Sequence, residues 1–244
     1  SQGLELPEGL EEIGKSAFEG CSSLKRIVIP EGVRSIREKT FCECTALQEI
    51  RLPDGLELIG RSAFSECEAL QEIRLPDGLK EIGSDAFSGC RSLRQITVPV
   101  GVKCIETAVF QSCRALQEVH LPEGLEQIGM FAFEDCDTLT RIVLPASLKR
   151  LCRGAFENCT SLLEAQLPDG LEELQDDAFE YCRSLQKVTI PAQVRQIERA
   201  AFYYCQSLQE VQLPEELNEI GEDAFAHCWA LKRIVIPAGV EKVG

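Results

Sequence analysis

Proline recurs every 23 residues from one end of the chain to the other, and no other feature of the sequence narrows the fold so far. All eleven prolines, from Pro7 through Pro30 and Pro53 to Pro237, keep this spacing without an insertion. Ten of the thirteen cysteines (Cys21 to Cys228) keep it, as do ten of the eleven phenylalanines (Phe18 to Phe225) and a leucine column from Leu24 to Leu231. A fixed period of this length describes a solenoid, in which each unit buries its apolar face only against its neighbours. Ten full units span residues 7–236, with partial units at both ends. Residues 1–244 are therefore expected to form a single stack of about ten and a half turns, without a linker and with no evident cap at either end.

One unit shows how the turn is built. Leu24-Lys-Arg-Ile27-Val-Ile29 alternates towards its end, which places Ile27 and Ile29 on the inner side of a short strand. Pro30 cannot donate to a sheet ladder and closes the strand, and Gly32 favours a tight turn after it. Val33 and Ile36 return to the core. The following segment, seen in Ser16-Ala17-Phe18-Glu19-Gly20-Cys21, spaces Phe and Cys three apart and predicts a short helical turn.

These residues resemble the leucine-rich repeats of the BspA-like subclass, through Ala17-Phe18, Cys21, Ser22, Ser23, Leu24, Ile27, Ile29, Pro30, Val33 and Ile36. Gly32 stands where the general leucine-rich pattern has Asn or Cys, and that departure points to the subclass. The resemblance implies an α/β to mainly-β solenoid, a right-handed superhelix with parallel strands lining one curved face. It also implies a non-catalytic protein-binding module, engaged in adhesion or in contacts with host or neighbouring-cell proteins, at a bacterial cell surface or outside the cell.

Charge and composition remove other classes. A formal charge of −15, with no Lys/Arg cluster, argues against nucleic acid and anionic membranes. No apolar run approaches the ~18 residues of a membrane span, and the residues after Ser1 do not read as a signal peptide. Disulfides are not expected along the cysteine column. Equivalent residues in adjacent parallel turns lie ~4.8 Å apart with parallel Cβ bonds, whereas a disulfide needs Cβ atoms ~3.8 Å apart and a dihedral near 90°. A linear row of thiols also cannot converge on one zinc, so neither a metal nor a cofactor is expected. Cys42, Cys104 and Cys152 lie off the column in three different phases.

Two groups of surface residues stand out. Four residues before each proline runs a row that includes Glu118, Arg141, Glu164 and Lys187, in which neighbouring signs alternate; His120 lies two residues after Glu118. In register this row is either a self-compensated ladder or a face matched to a partner's charges. On the outer turns of the last three full units gather Tyr181, Tyr203, Tyr204, His227 and Trp229. Clustered Tyr and Trp suit protein binding, because they offer large contact area with few rotors to freeze; they would equally cover the end of the stack. Met130-Phe131 is a smaller apolar pair.

Catalysis finds little support. Only two histidines exist, and no Gly-rich phosphate loop is present. The unlike strand ends of alternate units, strict from Pro99 onward, suggest a 46-residue superunit. That regularity favours a second reading, a structural scaffold or an engineered repeat array with no dedicated ligand. The apolar ends at Leu4, Leu6, Val240 and Val243 further suggest self-association.

Overall fold

The computed structural model describes residues 3–244 as a stack of parallel coils with three hydrogen-bonded sides, two of short strands grouped in separate sheets and a third whose bonds join each coil to the next. The first face carries nine strands of two or three residues, among them Arg26–Val28, Glu49–Arg51, Glu118–His120, Arg141–Val143, Glu164–Gln166, Lys187–Thr189 and Glu210–Gln212. The three-residue strands bury only their middle residue, as alternation requires. Registers run in steps of one repeat, for example Arg26 opposite Glu49 and Lys187 opposite Glu210.

The second face is a ladder of two-residue strands from Ser35–Ile36 to Lys242–Val243. Ile36 pairs with Ile59 and Ile59 with Ile82, so one inward aliphatic residue per coil lines this side. Between the two faces, Pro30 accepts a bond from the Val33 amide at 3.1 Å, and the other prolines close equivalent turns.

The third side corrects the helical expectation: no helix occurs among the described residues. Consecutive turns take its place, with Glu19 N–H donating to Ser16, Cys21 to Phe18 and Leu24 to Cys21. Alternate amides donate instead to the next coil, as Phe18 does to Thr40 and Gly20 to Cys42. A helix cannot form because each coil holds two residues in the left-handed region. One is at the position of Ser16 (φ 53°) and the other precedes the column cysteine, at Gly20 (φ 70°).

Counted by the strands of the first face the stack has about nine turns, slightly fewer than the ten and a half expected, because two expected segments there form no strand while the phenylalanine column runs on through ten coils. Glu72–Arg74 stands one repeat after Glu49–Arg51 without forming a strand, and the ladder is interrupted again between Glu118–His120 and Arg141–Val143. Residues 233–235, in the last full unit, form no strand; Arg233 and Val235 are exposed and Ile234 is half-buried against the core. No helix is long and apolar enough to cross a membrane.

The core consists of columns. Phe41 to Phe202 are fully buried, and ten rings from Phe18 to Phe225 stack with centroids 5.3 to 5.7 Å apart. All thirteen cysteines are free. In the column each thiol does more than fill space, because Cys113 Sγ lies 3.2 Å from the carbonyl oxygen of Phe87, one coil back. The same bond recurs from Cys44–Phe18 to Cys228–Phe202. Each of these phenylalanine carbonyls also accepts the amide of its own coil's cysteine, so both lone pairs are satisfied. Cys21 is exposed and makes no such bond among the described residues; Cys42 and Cys152 are buried and Cys104 is half-buried.

Candidate interaction surface

The third ladder positions the aromatic residues. The left-handed site before the column cysteine is occupied successively by Gly20, Glu43, Glu66, Gly89, Ser112, Asp135, Asn158, Tyr181, Tyr204 and His227. Glycine, asparagine and aspartate suit that backbone. Tyr181 (φ 57°) and Tyr204 (φ 58°) do not, and a bulky side chain there costs about 1 kcal/mol. Tyr203, the preceding residue, and Trp229, two residues after His227, project beside them.

The five side chains form one continuous group. Tyr204 is its hub, with ring centroids 4.3 Å from His227, 4.9 Å from Tyr203, 5.3 Å from Tyr181 and 5.7 Å from Trp229. Tyr203 meets Tyr181 and His227 edge-on at 5.7 and 5.3 Å. Trp229 is 67% exposed and the tyrosines are half-buried, so the group presents a wide ring surface to solvent. Arg183 places its guanidinium 5.8 Å from the Tyr181 ring centroid.

A row of carboxylates that the sequence reading did not single out leads into this group. Glu134, Glu157, Glu180 and Tyr203 occupy the same position in four successive repeats. Their 23-residue spacing is the available signal, two residues before the column cysteine. Gln111 donates its amide to Glu134. Glu157 and Glu180 form no ion pair among the described residues, because the nearby Arg153 and Arg199 both turn to the buried Asp177. Arg153 Nε lies 3.0 Å from Asp177 Oδ2, and Arg199 Nη2 lies 3.2 Å from Oδ1. Burial, then the charges of Glu134, Glu180 and Asp177, push the Glu157 carboxyl up to about 7 against the pull of Arg153. Burial raises Glu134 and Glu180 as well. The Tyr203 phenol is held above its ordinary range by burial, the other tyrosines, Asp223 and Glu180.

The strand-face residues are exposed and mostly pair among themselves. Arg141 meets Glu164 at 2.8 Å and Lys187 meets Glu210 at 3.1 Å, with Glu164 and Lys187 also in register. Glu118 departs from the expected row. It turns along its own strand to His120, Nε2 to Oε1 3.1 Å, so His120 has an acidic neighbour that the row alone did not supply. An open concavity of about 1060 Å³ runs along this face from Arg26 to His120, across the unpaired Glu72–Arg74 segment. The strand-face pairs and the aromatic group lie on different ladders of the coil. Met130 is 44% exposed, while Phe131 is half-buried beneath the Arg153 guanidinium.

The family described as "BspA type Leucine rich repeat region (6 copies)" matches residues 2–116, 34–162 and 126–244. Among solved structures, a leucine-rich repeat protein from Bacteroides ovatus is similar at 32% identity and a TM-score of 0.76, over 98% of this chain and 67% of that one. A leucine rich cell surface protein from Faecalibacterium prausnitzii is similar at 25% identity and a TM-score of 0.54, over 97% of this chain and 77% of that one. A leucine-rich repeat protein from Eubacterium ventriosum shares the fold at 20% identity and a TM-score of 0.53, over 95% of this chain and 78% of that one. None of the curated proteins matches the chain.

Proposed function

The chain belongs to the BspA-type leucine-rich repeat family, and from that premise we propose that it is a non-catalytic protein-binding module of a bacterial cell surface, with Tyr181, Tyr203, Tyr204, His227 and Trp229 as its docking surface. One observation carries this reading: five rings on three successive coils meet in one continuous group around Tyr204, and its Trp229 is 67% exposed. Exposed, clustered tyrosine and tryptophan offer large contact area with few rotors to freeze. A role confined to covering the end of the stack is less well supported, because Trp229 is 67% exposed and covers little. The surface location has support from the Faecalibacterium relative, described as a cell surface protein.

The test is capture of the chain by immobilised extracellular-matrix and cell-surface proteins, beside a Tyr181→Gly, Tyr204→Gly, Trp229→Ala variant. Glycine relaxes both left-handed sites, so that variant keeps its fold. Saturable binding lost in the variant supports the reading. Binding that survives moves the site to the strand face around His120, Arg141, Glu164 and Lys187. Absence of binding favours a scaffold without a dedicated ligand, for which the self-paired charges of the strand face speak.

A further inference from the structure

The chemistry of the partner can be read from what surrounds the rings. The Glu134–Glu157–Glu180 row spans two coil spacings, ~10 Å at ~4.8 Å each, and Tyr203 continues it into the aromatic group. The two carboxylates nearest the rings make no direct ion pair among the described residues: Arg153 and Arg199 lie within electrostatic reach but give their hydrogen bonds to Asp177. On the far side, Asp223 adds a further negative charge within electrostatic reach of Tyr203. The rings thus sit between carboxylates, in a chain whose net charge is −15. The molecule also shows what such a ring accepts, because Arg183 already rests over Tyr181 at 5.8 Å. Cations are attracted to the face of an aromatic ring by its quadrupole and to carboxylates by charge, and here the two lie in one line.

We propose that this track binds an extended Lys/Arg-rich segment of a partner protein, with Glu157 and Glu180 taking its ammonium or guanidinium groups and the Tyr181–Tyr204–Trp229 surface taking a further cation and its aliphatic stem. The proposal rests on the reading of the aromatic group as the docking surface and specifies what docks there. Residues two apart on an extended peptide lie ~6.6–6.8 Å apart, so a basic segment of five or six residues spans the row and reaches the rings. A partner of uncharged chemistry would leave Glu157 and Glu180 desolvated and unpaired beneath it, which opposes binding.

Trp229 is the only tryptophan, so its emission reports on this surface alone. The experiment titrates the full chain with a nona-arginine peptide, and with a nona-citrulline peptide that keeps the shape without the charge, following Trp229 emission and peptide anisotropy. The expected result is saturable binding of the arginine peptide with a change in Trp229 emission. Glu157→Gln/Glu180→Gln and Tyr181→Gly/Tyr204→Gly should each weaken it roughly tenfold or more. Glu123→Gln/Asp169→Asn, which removes two charges from a different edge of the coil, should change it by no more than about twofold, as a screened surface term does.

Equal binding of the two peptides overturns the cationic assignment. It leaves the aromatic docking surface standing if the tyrosine variant still loses that binding. Arginine binding that falls equally in all three variants, or that leaves Trp229 emission unmoved, reflects net charge alone and overturns the proposal. No binding of the arginine peptide overturns it as well, while capture lost on the tyrosine variant in the protein panel would still uphold the docking surface.

Discussion

Phe110→Ala probes whether the phenylalanine column carries the stack. The ring is fully buried, 5.7 Å from Phe87 on one side and 5.3 Å from Phe133 on the other. Its loss forfeits about 2–3 kcal/mol of transfer free energy. The flanking rings are each held by their own neighbours and cannot close the gap, so the unfilled volume adds about 1–2 kcal/mol. Two stacked contacts disappear as well, at ~0.5–1.5 kcal/mol each. These terms overlap, and the expected cost lies at the top of the range for such truncations, about 5 kcal/mol. Phe18→Ala is the internal comparison, because that ring is half-buried and stacks only on Phe41, at 5.3 Å. It should cost about 2 kcal/mol. Urea titrations followed by circular dichroism measure both, and because coupling in a solenoid runs only between neighbours, the Phe110→Ala curve should also broaden or divide. Equal costs at the two positions, or a Phe110→Ala cost under about 2 kcal/mol, would refute the column as the source of stability.

Three further outcomes are expected. The Glu157 carboxyl binds its proton more tightly folded, at about 7 against an ordinary 4.5, so stability present below about pH 4.5 is lost as pH rises towards 7. Glu157→Gln removes that loss and, discounted for partial exposure, should stabilise by about 1 kcal/mol at pH 8 and by nothing measurable at pH 4, read from urea midpoints. In native buffer an aromatic disulfide reagent should label Cys21 quickly and Cys67 to Cys205 only after denaturation, because burial raises those thiols well above their usual range; labelling of the inner column at the rate of Cys21 would contradict the buried assignment. Arg141→Ala should change the urea midpoint by an amount equivalent to ~0.5 kcal/mol or less, since its pair with Glu164 is largely solvated.

The period made most of the fold legible. Pro30, Ile27, Ile29, Val33 and Ile36 each report one position, and repetition multiplies the signal until strand, turn and core are fixed together. The third side was misread because Phe18 and Cys21 lie three apart, a spacing that a helix and a chain of successive turns share. What separates the two is backbone handedness, and the sequence does carry a sign of it. Gly20, Gly89, Asp135 and Asn158 are residues that tolerate positive φ, recurring at one position. The aromatic group was visible because its members are rare in this chain. Its acidic approach was not, since Glu134, Glu157 and Glu180 are three among forty acids, and only Arg153 and Arg199 turning to Asp177 distinguishes them. The link between Glu118 and His120 depends on side-chain direction, which spacing alone does not specify.

The left-handed column also sets how large a docking surface this architecture can carry. Each coil offers one outward site there, and an occupant other than glycine, asparagine or aspartate adds about 1 kcal/mol of strain. A folded domain holds only about 5–15 kcal/mol in reserve. Glu43, Glu66 and Ser112 already sit in this column beside the two tyrosines and the histidine, so extending a ring surface along the whole edge would add strain chiefly at Gly20, Gly89, Asp135 and Asn158. The edge therefore has a finite carrying capacity. A repeat array of this kind can lengthen, shorten or relocate its contact patch one coil at a time, by a single substitution every 23 residues, without disturbing the columns beneath.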